Sequence, residues 1–169
     1  MNHSAPSDNE LALLAVRAGA ALLDQRLKVA TAESCTGGYL AKLLTDVPGS
    51  SRWFDCGFVT YSNAAKQREL GVSAETLALH GAVSEETVIE MAVGALAASG
   101  VQLAVAISGV AGPDGGTVAH PVGDVWFGRA LLRPDQTVGA VSVHRRFSGD
   151  RDAVRRQAAA YALEMLQEV

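Results

Sequence analysis

The chain has 169 residues, 49% hydrophobic and 19% charged, which fits one domain with its own core and excludes disorder for most of its length. Eighteen acidic against fourteen basic residues give a formal charge of −4, the wrong sign for a protein that grips a nucleic-acid backbone. No apolar run reaches the roughly 18 residues of a membrane span, the first ten residues lack the apolar segment of a signal peptide, and Cys35 and Cys56 form neither a metal pattern nor a secreted disulfide framework; a cytoplasmic protein with no membrane or nucleic-acid partner is expected.

Residues 1–8 read as a flexible tail, with one domain over 9–169. Apolar positions 11, 14, 15, 18 and 22 recur at helical spacing and predict a helix to about Gln25. Lys28–Glu33 reads as a strand that breaks at Ser34-Cys35-Thr36-Gly37-Gly38. A second helix, on Leu40, Leu43, Leu44 and Val47, runs to the stop at Pro48-Gly49. Cys56–Tyr61 is aromatic and β-branched, a second strand. Asn63 can cap a short helix carrying Lys66 and Leu70, and Ser73 can cap the next. Val88, Met91, Ala92, Ala95 and Leu96 define a longer helix ending at Gly100. Val101–Ile107 reads as a buried strand, followed at once by a loop with four glycines in nine residues, SGVAGPDGG at 108–116. Val122–Leu132 and Val138–His144 flank Arg133-Pro134-Asp135-Gln136 as a hairpin. Asp150 can cap a last helix on Val154, Ala158, Tyr161, Ala162 and Met165. The order predicts an α/β fold: a three-layer α/β/α sandwich around a mixed, mostly parallel sheet.

In open α/β sheets ligands gather beyond the carboxyl ends of the strands, and three loops leave such ends. At Glu33–Gly38, hydroxyls lie at a helix start, where backbone N–H groups favour an anion or an oxyanion; Ser34 or Thr36 can equally serve only as a cap, with Gly37 and Gly38 making the turn. Cys35 shares that position, and a helix N-terminus lowers a thiol pKa, although a lone cysteine is more often packed core. Tyr61 and Lys66 follow the second strand; a poorly solvated lysine can serve as a base for serine, whereas a surface lysine would be solvated. The spacing Tyr-x4-Lys and the absence of G-x-G-x-x-G from the first βα unit speak against hydride transfer, and the third loop is no Walker A. That loop, with Ser108, Gly109 and Gly112, lets backbone approach a phosphate or ribose. His3, His80, His120 and His144 are scattered without metal-ligand spacing, so no metal is expected. Arg145, Arg146, Arg151, Arg155 and Arg156 read as a solvated face or as a phosphate clamp. Trp53-Phe54 suits a subunit contact or a ligand stack.

Six motifs in fixed order carry a resemblance: TAESCTGG at 31–38, GFVTYSNAAK at 57–66, HGAVSEETV at 80–88, SGVAGPDGG at 108–116, PVGDVWF at 121–127 and FSGDRDAVRRQA at 147–158. Over about residues 10–165 the chain resembles the CinA C-terminal-domain family, whose standalone members are nicotinamide-nucleotide amidohydrolases. It looks like that single-domain form, without the extra N-terminal domain of larger members. The resemblance implies hydrolysis of the carboxamide of nicotinamide mononucleotide (NMN), a small-molecule substrate, to nicotinate mononucleotide and ammonia. It implies a serine–lysine dyad without metal or other cofactor, a role in pyridine-nucleotide recycling, and a homodimer. By motif, Ser34 matches the serine, Lys66 the lysine and Tyr61 the tyrosine that orients it or relays a proton. Ser51, in GSSRWF, is a second candidate hydroxyl.

On this reading Glu33, Thr36, Gly37 and Gly38 flank the substrate with Ser51, Ser108, Gly109 and Gly112. The amides of Thr36–Gly38 hold the oxyanion, and the glycine loop or an arginine such as Arg151 holds the phosphate. Asp124 departs from the family's threonine. The alternative is a nucleotide-binding or regulatory module of the same fold without turnover.

Overall fold

A computed structural model describes residues 5–168. Helix α1 (Asp8–Asp24) is entered through Ser7, whose hydroxyl accepts the Glu10 N–H while the Glu10 carboxylate reaches back, a capping box. Residues 1–4 of the expected tail lie outside the described residues. Then follow β1 (Val29–Glu33), α2 (Tyr39–Thr45), β2 (Phe54–Val59), α3 (Asn63–Leu70), α4 (Ala74–His80), α5 (Glu85–Ser99), β3 (Leu103–Gly109), β4 (Asp124–Leu132), β5 (Val138–Arg146) and α6 (Arg151–Met165).

The five strands form one sheet in the order β2-β1-β3-β4-β5. β1 pairs in parallel with β2 and β3, and the pairs β3–β4 and β4–β5 are antiparallel. The sheet is therefore mixed, with four strands running one way and β4 against them. β1 is buried along its whole length, as a central strand covered on both faces must be. Side chains of β3 alternate. Leu103, Val105 and Ile107 join the core under α1, α2 and α6. Ala104 and Ala106 face Val88, Met91, Ala92 and Ala95 of α5, with Leu70 of α3. The result is three layers. Small residues draw α5 close to the sheet: a Cβ on Gly128 of β4 would stand 2.2 Å from the Val88 carbonyl oxygen, so any larger residue there would push α5 away.

Three local expectations are corrected. β2 begins at Phe54, two residues before the expected start, and ends before Thr60 and Tyr61. The cap of α3 is Ser62, not Asn63; its hydroxyl accepts the Ala65 N–H. Trp53 is no surface aromatic. It is 1% exposed and lies over Gly19 of α1, where a Cβ would come within 2.6 Å of the ring.

The chain leaves β1 toward β2 on one side, and β3 returns on the other. The carboxyl ends of β1 and β3 thus flank a switch point, where parallel sheets open a crevice. The loops after β1, β2 and β3 meet there.

Candidate active site

Ser34 is the first residue beyond β1, and its N–H donates to the Ile107 carbonyl of β3 at 2.9 Å. This fixes the residue between the two central strands. Lys66 lies in the first turn of α3, where Lys66 and Leu70, four residues apart, are the inward-facing positions of an otherwise largely exposed helix. The lysine is fully buried. Its Nζ donates to Ser34 Oγ at 2.9 Å, to the Thr60 carbonyl at 2.8 Å and to the Tyr61 carbonyl at 3.4 Å. Burial lowers the amine from its usual 10.5 to about 8, because removal from water penalises the charged form. No carboxylate among the described residues lies within ion-pairing distance of it.

Three acceptors match the three hydrogens of an ammonium. On losing one proton, the amine can still satisfy the two carbonyls, which have no proton to give. Its lone pair is then left for the one partner that does, the Ser34 hydroxyl. The geometry thus suits a neutral amine accepting a proton from serine.

Ser34, Cys35, Tyr61 and Lys66 line a cavity of about 290 Å3 with Ser108–Gly112, Asp114, Gly115, Arg151 and the Ala82-Val83 segment before α5. Such a volume suits part of a small ligand, with the rest at the open mouth. Arg151, first residue of α6, crosses the mouth: it donates to the Gly112 carbonyl at 2.8 Å and to Tyr61 Oη at 3.0 Å. The Tyr61 side chain is 60% exposed, and its phenol faces Arg151. Lys66 is oriented by the tyrosine's main-chain carbonyl instead. The Ser108 hydroxyl donates to the Ala82 carbonyl at 2.7 Å, tying the end of β3 to the segment before α5.

Other expected residues are placed differently. Glu33 is buried and turns away from the cavity. Its carboxylate accepts the N–H groups of Leu40 at 2.8 Å and Ala41 at 3.0 Å, so the first orphan donors of α2 are taken by the protein itself. Gly37 donates its N–H to the Ser34 carbonyl at 3.0 Å, closing a turn that needs the left-handed φ of +60° at Gly37 and +93° at Gly38. Thr36, Gly37 and Gly38 are not in the cavity lining. The N–H of Cys35, whose residue does line it, donates to no other residue among the described ones. Burial pushes the Cys35 thiol up to about 12, so it stays protonated at neutral pH. Ser51 sits in a short 3-10 turn (Ser50–Arg52) before β2, at the opposite end of the sheet from Ser34.

The basic run also divides. Arg155 donates to the Thr36 carbonyl at 3.0 Å, Arg156 binds the Pro6 carbonyl and the Asp8 carboxylate, and Arg145 stacks on Tyr161. One cluster escaped the sequence. Asp124, 4% exposed, lies 3.2 Å from His120 Nδ1 and 2.6 Å from His144 Nε2. It pins the end of the glycine loop to β5. Its partners stand 4 and 20 positions away, and the Asp124 to His144 contact depends on the β4–β5 pairing. No group of three or more His, Cys, Asp or Glu side chains among the described residues is placed to hold a metal ion, and none of the described helices is long and apolar enough to cross a membrane.

The model of the CinA C-terminal domain matches residues 12–169. The chain belongs to that family. It is 56% identical to the nicotinamide-nucleotide amidohydrolase PncC of Escherichia coli K12 over 160 residues, 95% of this chain and 94% of that protein. The PncC of Pseudomonas putida is 52% identical over 156 residues, 92% and 94% of the two chains. Among solved structures, a CinA superfamily protein of Klebsiella pneumoniae superposes with a TM-score of 0.87 at 42% identity, covering 94% of this chain and 96% of that one. The CinA-type fold and the three-layer sheet are thus shared along nearly the whole length.

Proposed function

We propose that the chain is a nicotinamide-nucleotide amidohydrolase that converts NMN and water to nicotinate mononucleotide and ammonia. The observation that carries this reading is the 2.9 Å contact between Ser34 Oγ and a buried Lys66 Nζ whose other partners are carbonyls. A carboxamide is a poor acyl donor, and serine needs a base to attack it. Neutral Lys66 takes the Ser34 proton as Oγ bonds to the carboxamide carbon. The resulting oxyanion is held by the Cys35 N–H, the amide following the nucleophile. As the C–N bond breaks, Lys66 returns the proton to the departing nitrogen, which leaves as ammonia. Water then attacks the acyl ester, giving its proton to Lys66, and the Ser34 oxygen departs with that proton.

Substrate contacts follow from the lining. Gly109 and Gly112 allow close approach of the nucleotide, and Arg151 has the charge to bind the phosphate at the mouth. Tyr61 braces Arg151. Glu33, Thr36, Gly37 and Gly38 support the turn rather than touch substrate, and Ser51 takes no part. No step requires a metal or cofactor. We place the activity in cytoplasmic pyridine-nucleotide recycling by a homodimer whose contact surface excludes the buried Trp53. Light scattering of the eluting protein reports the assembly.

The test is purified protein with NMN, assayed for ammonia and nicotinate mononucleotide. Turnover lost in Ser34→Ala and retained in Ser51→Ala supports the assignment. NMN binding without ammonia release would instead indicate a non-catalytic nucleotide-binding module.

A further inference from the structure

We propose that Arg155 is a positioning residue for amide hydrolysis: it fixes the Thr36–Gly37 peptide so that the turn presents the Cys35 N–H to the developing oxyanion. This rests on the Ser34 reading above. The Thr36 carbonyl accepts two hydrogen bonds, from the Tyr39 N–H at 3.1 Å and from Arg155 Nη2 at 3.0 Å. The first is local to the turn. The second comes from α6, 119 residues away, and ties the turn to the helix that also supplies Arg151. Arg151 and Arg155 stand four apart, on one face of α6. The first reaches the mouth of the cavity, the second the back of the turn.

Arg155 differs from its neighbour Arg156, which is paired with Asp8 and Asp152. Its guanidinium lies 5.8 Å from the centre of the Tyr39 ring. It has no carboxylate partner among the described residues, and its Nε is buried without an acceptor. Its charge is felt at Cys35, where it favours the anionic form of the thiol. An arginine kept only for stability gains by pairing with an acid. One left unpaired beside the nucleophile's turn retains its positive field for charge that appears during the reaction. The carbonyl it holds belongs to the peptide whose N–H closes the Ser34–Gly37 turn, so a loosened Thr36 peptide also loosens Cys35.

The oxyanion exists only in the transition state and the intermediates, so the effect belongs in kcat rather than KM. For Arg155→Met, kcat on NMN should fall about ten- to thirtyfold, less than the 10²–10³ lost with a direct oxyanion donor, with KM within about twofold. Arg155→Gln keeps a donor for Thr36 but not the charge and should fall between Met and wild type. Arg155→Lys keeps the charge and should recover part of the loss. In all three the acidic limb of the pH–rate profile should stay where wild type has it, since burial of Lys66 sets it. A merely structural role would lower the melting temperature without this graded loss of kcat. The proposal is overturned if folded Arg155→Met or Arg155→Gln keeps kcat within twofold of wild type, or if the loss lies in KM alone; should the Met variant fail to fold, the Gln variant decides. Wild-type protein that releases no ammonia from NMN would instead refute the underlying function.

Discussion

Two buried charges stand at neighbouring strand ends, and they are treated in opposite ways. Glu33, at the end of β1, has its carboxylate satisfied by the Leu40 and Ala41 N–H groups at the positive end of α2. Lys66, beyond β2, is just as buried, yet its partners are a hydroxyl and two carbonyls. A buried anion with matched donors is a structural cap. A buried cation with no counter-charge is held short of its preferred protonation state, and that is the condition for a base. The same depth of burial therefore builds the scaffold on one side of the cavity and chemistry on the other.

The largest expected effect breaks the reactive side. Lys66→Met should lower turnover of NMN about 10²–10⁴-fold, the usual contribution of a general base. In wild type, activity should rise about tenfold per pH unit and level off near pH 8, as the amine loses its proton; in the Met variant that limb should vanish. Stability gives an independent check. The folded amine titrates near 8 and the unfolded one near 10.5. Between those values the unfolded chain binds more protons, so stability should rise with pH across that window and be lowest below it. Denaturant titrations at pH 7 and pH 10 should show this rise in wild type and not in Lys66→Met. An equal slope in both would mean that Lys66 is solvated.

The structural side should respond differently. Glu33→Ala leaves two buried helix donors without an acceptor, and urea unfolding should show a loss of about 2–3 kcal/mol. Activity should fall with the fraction folded, and the acidic limb should stay in place. A Glu33 variant of full stability with a displaced limb would make the acid part of the reaction. Asp124→Thr removes the acceptor shared by His120 and His144. The histidines are half open to water, so the cost should be smaller, about 1 kcal/mol, with activity retained.

How much of this was legible in the sequence follows from the same contrast. The order of elements was readable from periodicity and caps, and the motifs brought Ser34 and Lys66 to one rim. Spacing put Lys66 and Leu70 on one short helix but left a buried and a solvated lysine equally open; the inward position of Lys66 is visible only in the structure. The directions of side chains were not readable. Glu33 ends a strand buried on both faces, so alternation could not say whether its carboxylate meets the cavity or α2. The Tyr61 phenol and carbonyl point to different partners, which depends on where β2 stops, and the aromatic and β-branched pattern sets that strand two residues late. Ser51 is a candidate hydroxyl by its motif alone; it sits at the amino end of β2, while Ser34 follows the carboxyl end of β1. The five arginines read as one patch, yet the partners of Arg145, Arg151, Arg155 and Arg156 are scattered over separate segments of the chain.

The smallest effect concerns the residue next to the nucleophile. Cys35 lines the cavity and stands where a thiolate could attack, but burial holds the thiol near 12. Below pH 9 the reactive anion is then on the order of one molecule in a thousand or fewer. Cys35→Ala keeps the main-chain N–H proposed for the oxyanion and removes only a small packed side chain. Its kcat should stay within about threefold of wild type, with a loss of stability near 1 kcal/mol from the vacated volume. Iodoacetamide at pH 7.5 should leave activity in place over the time that labels Cys56, which is partly open to solvent. Rapid inactivation traced by mass spectrometry to Cys35 would show a lowered thiol pKa there, and the division of labour between the turn and the lysine would then need to be redrawn.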